Sequence, residues 1–434
     1  MNQEERRQRR ERDTKKAIVV FVVFLLCMIL LIAGVVFGVS RFLLGGRQSG
    51  GDKEQTEQQT ETEPQSEEPV GDVMPVMDPY EEQAAGVVAG MTLEDKLAQM
   101  FVITPNALTG YSSVTAAGDT TREAYNERPV GGIIYMANNL TDRDQTVTML
   151  SNMQAISQER TGLPIFLCVD EEGGSVARIA SNSAFGVTNV GDMSDIGAAG
   201  DTQNAYNAGA VMGTYLSELG FNVDFAPVAD VLTNPENTVI GKRSFGSDPQ
   251  MVAGMVTSEL QGLSDMGVYG TVKHFPGHGG TAEDSHEGAA ITQAALEEMM
   301  QCEFVPFQSA INAGVSFVMV GHISAPNVTG SDVPATLSSY MVTDVLRGQM
   351  GYRGIIITDG MDMGAITDTY EADAAAVAAV QAGVDMILMP EDYEKAYNGL
   401  LAAVQDGRLT EERINESVVR IVKVKLMIQG SQMQ

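Results

Sequence analysis

The sequence predicts an α/β chain: a TIM-type (β/α)8 barrel, preceded by one transmembrane helix and a disordered stalk. Three observations predict it. After Thr92, short apolar runs alternate with longer helical patterns about eight times, which argues a parallel sheet closed into a barrel. The runs lack apolar–polar alternation, as strands buried on both faces do. Ahead of them, one long apolar stretch gives way to a polar, acidic one.

In residues 1–16, arginine and lysine outnumber the acids, so this segment is expected to be a cytoplasmic basic tail. The anchor is placed at residues 17–44. Its core, Ala17 to Val39, has no charge and no proline. As a helix it would be about 34 Å long, against a bilayer core of roughly 30 Å. A cleaved signal peptide is the alternative, but its apolar region would be shorter and followed by a small-residue cleavage site. Leu25 and Leu26 before Cys27, with the apolar run continuing beyond it, argue against lipidation. The expected location is therefore the cell membrane, single-pass, with the following domain extracellular. Residues 45–79 are polar and acidic and bury almost nothing, which predicts a disordered linker. Residues 80–434 are expected to form the barrel.

Within that domain a helix starts at Thr92, with Asp95 three residues on in a variant of the capping box. The expected strands are Phe101–Thr104, Gly132–Tyr135, Pro164–Val169, Asn222–Ala226, Tyr269–Lys273, Ser316–Gly321, Gly354–Thr358 and Met386–Met389. Between them fall helices over Asp142–Thr161, Gln203–Leu219, Pro249–Met266, Ser338–Met350 and Ala374–Ala382, and Thr410–Gln429 closes the chain. A doubly wound open sheet is the competing architecture. No glycine-rich phosphate fingerprint follows the first strand, which weakens a nucleotide-binding reading.

Composition narrows the function classes. The formal net charge of −30 excludes a nucleic-acid partner, because phosphate backbones attract basic patches. The three cysteines, Cys27, Cys168 and Cys302, make neither a disulfide framework nor a C-x-x-C zinc pair. Histidine is scarce, yet three of the four fall between His274 and His286, the fourth being His322.

A barrel places its chemistry at the carboxyl ends of the strands. Four ends are unusual. Asp170-Glu-Glu-Gly-Gly-Ser-Val-Ala-Arg178 sets a carboxylate and a guanidinium on either side of a tight turn; a capped turn with a surface ion pair is the plain alternative. Lys273-His-Phe-Pro-Gly-His-Gly-Gly-Thr281, then Asp284-Ser-His286, is a loop; a metal site and a purely structural loop both remain open for it. Asp359 ends the seventh strand, where it suits a nucleophile or base, with a helix cap as the alternative. His322 ends the sixth strand and lines the same mouth.

These residues are similar to a known family. Lys273-His-Phe-Pro-Gly-His-Gly279 with Asp284-Ser-His286 resembles the signature loop of the β-N-acetylglucosaminidases of glycoside hydrolase family 3. Asp170-x-Glu-Gly-Gly-x-Val-x-Arg178, Asn222–Val231 with Arg243-Ser-Phe-Gly246, and Ile357-Thr-Asp-Gly-Met361 resemble its other motifs, in order, over essentially all of the chain after the linker. The resemblance implies retaining hydrolysis of terminal non-reducing β-linked N-acetylglucosamine from peptidoglycan fragments or other glycans. It implies a covalent glycosyl-Asp359 intermediate, His286 as acid/base and Asp284 orienting that histidine. A histidine suits the role because its unperturbed pKa of about 6.5 lets it give and take a proton near neutrality. It implies sugar contacts from Asp170, Arg178, Arg243, Lys273 and His274, and neither metal nor cofactor; a stalked barrel with no evident need for a partner is expected to be a monomer. The chain departs from the pattern at Gly280, which stands where the family loop usually has aspartate. A phosphorylase or β-glucosidase of the same fold, and a non-catalytic carbohydrate-binding protein, are the alternative functions.

Overall fold

The computed structural model describes residues 78–281 and 290–432. Eight parallel strands form the centre: β1 (Phe101–Ile103), β2 (Gly132–Ile134), β3 (Phe166–Val169), β4 (Val223–Asp224), β5 (Tyr269–Phe275), β6 (Phe317–Val320), β7 (Ile355–Thr358) and β8 (Ile387–Leu388). Their order follows the chain from β1 to β7, and β8 pairs with β1 in parallel through Phe101 and Ile387. A parallel bridge between Ile357 and Met386 joins β7 to the start of β8 and closes the ring. Closure rules out the doubly wound sheet. All eight strands fall within or beside the predicted runs, although β4 is shorter than the apolar run that announced it.

The barrel interior is filled. Phe166 of β3 and Phe317 of β6 meet edge-to-face across it, their ring centroids 5.2 Å apart. That contact fixes the parity of the strands, because alternate residues share a face. Phe317 is in register with Thr271 of β5 and Ile355 of β7. Counting by twos toward the carboxyl ends then brings Asp170, Lys273 and Asp359 to the inside of the mouth.

Helices wrap the outside. Arg143–Thr161, Thr202–Leu219, Pro249–Asp265, Phe304–Asn312, Ala372–Ala382 and Tyr393–Gln405 follow successive strands, and Glu411–Gln432 ends the described chain. Tyr340–Gln349 fills the predicted 338–350 helix but winds as a π-helix, with Met350 N–H donating to the Val345 carbonyl at 2.9 Å. One helix precedes the expected start: Pro79–Ala89, capped by the Asp78 side chain, which Lys423 also contacts at 2.7 Å. Helices Thr202–Leu219 and Pro249–Asp265 touch backbone to backbone. A β-carbon on Gly209 would lie 2.3 Å from the Glu259 carbonyl oxygen, and one on Gly262 would lie 2.2 Å from that of Tyr206.

The fold expectation needs one correction. Among the described residues no helix is long and apolar enough to cross a membrane. The longest, Glu411–Gln432, is interrupted by Arg413, Arg420, Lys423 and Lys425, and such charges are costly in a bilayer core. The expected transmembrane helix over 17–44 lies outside the described residues, as do the basic tail and nearly all of the 45–79 linker. The barrel stands without a spanning helix, and the single-pass, cell-membrane location inferred from that helix is withdrawn with it.

Candidate active site

The site is a cup at the carboxyl ends of β3, β5 and β7, walled by the loop that follows β4. Beyond Asp170, Glu171–Gly173 and Val176–Ala177 pair as a small antiparallel hairpin. Its turn needs Gly174, at φ 53°, where a β-carbon would also lie 2.4 Å from Asp192 Oδ1. The hairpin returns Arg178 to Asp170, with Nη2 3.7 Å from Oδ2. Arg178 Nε is buried and has no hydrogen-bond partner among the described residues.

Glu172 lies two residues beyond Asp170 and points into the same cup. Arg243 grips it through two parallel bonds, Nε to Oε2 and Nη2 to Oε1, both 2.7 Å. Lys273 Nζ lies 2.5 Å from Glu172 Oε1 and 3.0 Å from Asp170 Oδ1. Glu172 and Lys273 are only 2% and 3% exposed. Burial alone would favour the neutral form of each, but the mutual attraction wins. The Arg243 and Lys273 charges hold the Glu172 carboxyl well below the usual carboxylate range, and Glu172 and Asp170 hold the Lys273 ammonium above its usual value.

A second carboxylate organises the segment after Lys273. Asp230, in the loop after β4, is fully buried. It accepts hydrogen bonds from His274 Nδ1 at 2.7 Å, His274 N–H at 3.2 Å and His278 N–H at 2.7 Å. His274 Nε2 lies 3.3 Å from Arg243 Nη2. Burial pulls the Asp230 pKa upward, but the two histidines outweigh it and keep the value below the ordinary range.

Asp359 is half-buried at the end of β7, and its Oδ1 accepts the Gly360 N–H at 2.8 Å. His322 is fully buried beneath it, with Nε2 donating to the Gly360 carbonyl at 2.8 Å and Nδ1 2.8 Å from Thr336 Oγ1. His322 thus holds the far side of the same glycine whose N–H bonds Asp359. Burial raises the Asp359 pKa, whereas His274, His322, the Gly360 N–H and Lys273 together bring it below the ordinary value. Asp359 is therefore an anion at neutral pH, half-open to solvent.

Of the residues expected at the site, Asp170, Arg178, Arg243, Lys273, His274 and Asp359 are described, and five of them form one connected cluster, with Asp359 beside His274 and Lys273. Asp284 and His286 lie outside the described residues. Sequence reasoning missed Glu172 and Asp230. Strand parity within Asp170-Glu-Glu172 carried the first signal, and an acid inside the apolar run Ala226–Val231 carried the second. As for the metal reading of the histidine window, His274 and His278 stack edge-to-face at 5.9 Å, and no group of three or more ligating side chains is placed to hold a metal among the described residues.

The chain matches the glycosyl hydrolase family 3 N terminal domain over residues 92–424. The β-hexosaminidase A of Pseudoalteromonas piscicida is 34% identical over 326 residues, which are 70% of this chain and 54% of that protein. The β-hexosaminidase LpqI of Mycobacterium tuberculosis is 34% identical over 352 residues, 79% of this chain and 85% of that one. The solved structure of a family 3 β-N-acetylglucosaminidase from Paenibacillus sp. str. FPU-7 has a TM-score of 0.73 and 40% identity, covering 78% of this chain and 63% of that one. The chain thus spans about half the length of the first relative and most of the second. Because the match takes in the barrel and each site residue above, the chain belongs to glycosyl hydrolase family 3, and its relatives include proteins named β-hexosaminidase and β-N-acetylglucosaminidase.

Proposed function

We propose that this protein hydrolyses terminal non-reducing β-linked N-acetylglucosamine with retention of configuration, acting on peptidoglycan fragments or other glycans. The observation that carries the reading is Asp359: an ionised carboxylate at the mouth of the barrel, held by Gly360 and opposite a charged cluster with donors to spare. Asp170 accepts from sugar hydroxyls. Arg178 offers an Nε–H that has no partner among the described residues, and Lys273 has one ammonium proton beyond its two carboxylate contacts there. These groups hold the terminal sugar with its anomeric carbon over Asp359.

Asp359 attacks that carbon as His286 gives a proton to the leaving oxygen, and a covalent glycosyl ester forms on Asp359. His286 then takes a proton from water, which attacks the same carbon and releases the sugar and the carboxylate. Asp284 orients His286 and stabilises its cation, as a carboxylate does for the imidazole of a hydrolytic triad.

The test uses the full chain and p-nitrophenyl β-N-acetylglucosaminide, with the β-glucoside as control. Wild type is expected to release p-nitrophenol from the first far faster than from the second. Asp359→Asn should lower kcat at least about 1000-fold, and His286→Ala about 100- to 10,000-fold. Equal rates in wild type and Asp359→Asn would overturn the proposal.

A further inference from the structure

His274 lies between two groups of fixed hydrogen-bonding character. The Asp230 carboxylate, with Oδ2 2.7 Å from Nδ1, has no proton to give, so Nδ1 carries the hydrogen. The Arg243 guanidinium, with Nη2 3.3 Å from Nε2, has no lone pair to offer, so Nε2 carries none. Both contacts select one form of the ring, the Nδ1–H tautomer. Its remaining lone pair faces Arg243, whose Nε and Nη2 already hold Glu172 and whose Nη1 donates to the Val239 carbonyl at 3.3 Å. Every contact that orients this guanidinium comes from a buried or backbone group.

We propose that Asp230 is a positioning residue that acts through His274: it fixes the imidazole as the Nδ1–H tautomer, so that Nε2 accepts from Arg243 and holds the guanidinium square to the sugar. His274 therefore serves the substrate mainly by aiming Arg243. The inference rests on the reading of this cup as the sugar site, but its first readout does not depend on catalysis.

The variant Asp230→Asn separates this role from a structural one. The asparagine Oδ1 can still accept the backbone N–H groups of His274 and His278. Its Nδ2 replaces Oδ2, however, and donates toward His274 Nδ1. The imidazole must then move its hydrogen to Nε2, where it opposes a guanidinium N–H.

The full chain is labelled with 15N-histidine, and two-bond correlation spectra at neutral pH report the tautomer of each ring. Four histidines in the whole sequence make assignment by single substitution practical. Wild-type His274 is expected as Nδ1–H and Asp230→Asn as Nε2–H. In the aryl glycoside assay Asp230→Asn should raise KM about tenfold, the value of one lost hydrogen bond, with kcat within about threefold. In a His274→Phe background the same change should add nothing further. An Nε2–H ring in the wild type, an unchanged tautomer in Asp230→Asn, or additive effects in the double variant would overturn the relay. If the wild type cleaves no β-N-acetylglucosaminide, the sugar-site reading falls instead, and the spectra still decide what Asp230 does to His274.

Discussion

Two lysines are buried at opposite ends of the barrel, and their surroundings differ in kind. Lys273 lies at the mouth between Asp170 and Glu172. Lys425 comes from the last helix and is fully buried at the floor. Its Nζ donates to Gln99 Oε1 at 2.7 Å and sits 5.1 Å from the centre of the Phe166 ring, with the Cys168 thiol nearby. Lys425 makes no ion pair among the described residues. At the mouth the carboxylates outweigh burial and the ammonium is locked on. At the floor burial wins and pushes the ammonium down to about 7, the Cys168 thiol opposing only in part. Burial is common to both lysines, so the neighbours decide the charge.

The comparison can be broken or sharpened by substitution. The largest effect is expected for Lys273→Met. It leaves Glu172 with one cation and Asp170 without its nearest, at a cost of about 3–5 kcal/mol, and kcat/KM should fall at least about 100-fold as the sugar loses its grip. Calorimetric melting and the aryl glycoside assay measure the two. Near-normal activity would mean that the mouth lysine is as passive as the floor lysine.

Lys425→Met should leave kcat/KM within about twofold while changing the pH dependence of stability. The folded value of Lys425 lies below the unfolded one, so between about 7 and 10.5 the unfolded chain holds more protons and wild-type stability rises with pH. The methionine variant should lose that rise, a difference of a few kcal/mol at about 1.4 kcal/mol per pH unit. Denaturant titrations at pH 7 and pH 10 test it, and parallel curves for the two proteins would refute it.

The smallest effect concerns a buried acid in the helix layer between the two ends. Both carboxylate oxygens of Glu259 are without hydrogen-bond partners among the described residues. Burial pushes this group up to about 8; Glu172 adds to the shift and Lys273 opposes it. The folded protein holds the extra proton between about 4.5 and 8, so this group costs stability as pH rises through that window. Glu259→Gln should gain about 1 kcal/mol or more on wild type at pH 8 relative to pH 5, with activity near normal. A relative loss at pH 8 would show that the carboxylate is satisfied when charged.

The contrast also explains what could be read in the sequence. The strands were legible because buried parallel strands are continuous apolar runs, as in Ile355–Thr358, and the residues just past them were legible as lining the mouth of the barrel. Asp170, Lys273 and Asp359 are of this kind. Glu172 and Asp230 were harder, because their roles depend on which cation or ring each meets, and those partners lie 71 and 44 positions away. Lys425 was opaque for the same reason. A lysine in an amphipathic final helix reads as a surface residue until the helix docks and turns it toward Gln99. The π-winding of Tyr340–Gln349 left no signature in spacing that an ordinary helix would not also leave.

The close seam between helices Thr202–Leu219 and Pro249–Asp265 has a consequence for how this chain can be cut and rejoined. The two helices bracket the loop that delivers Asp230 and Arg243, and at Gly209 and Gly262 their backbones pack too closely to admit a side chain. The segment from 202 to 265 is thus a single mechanical block. New termini opened at the exposed turn around Gly110 and Tyr111, far from that block in sequence, should leave the cup assembled. Termini opened inside the block would free the guanidinium and its carboxylate guide together, so a circular permutant cut there should fold less well and grip sugar poorly for the same reason.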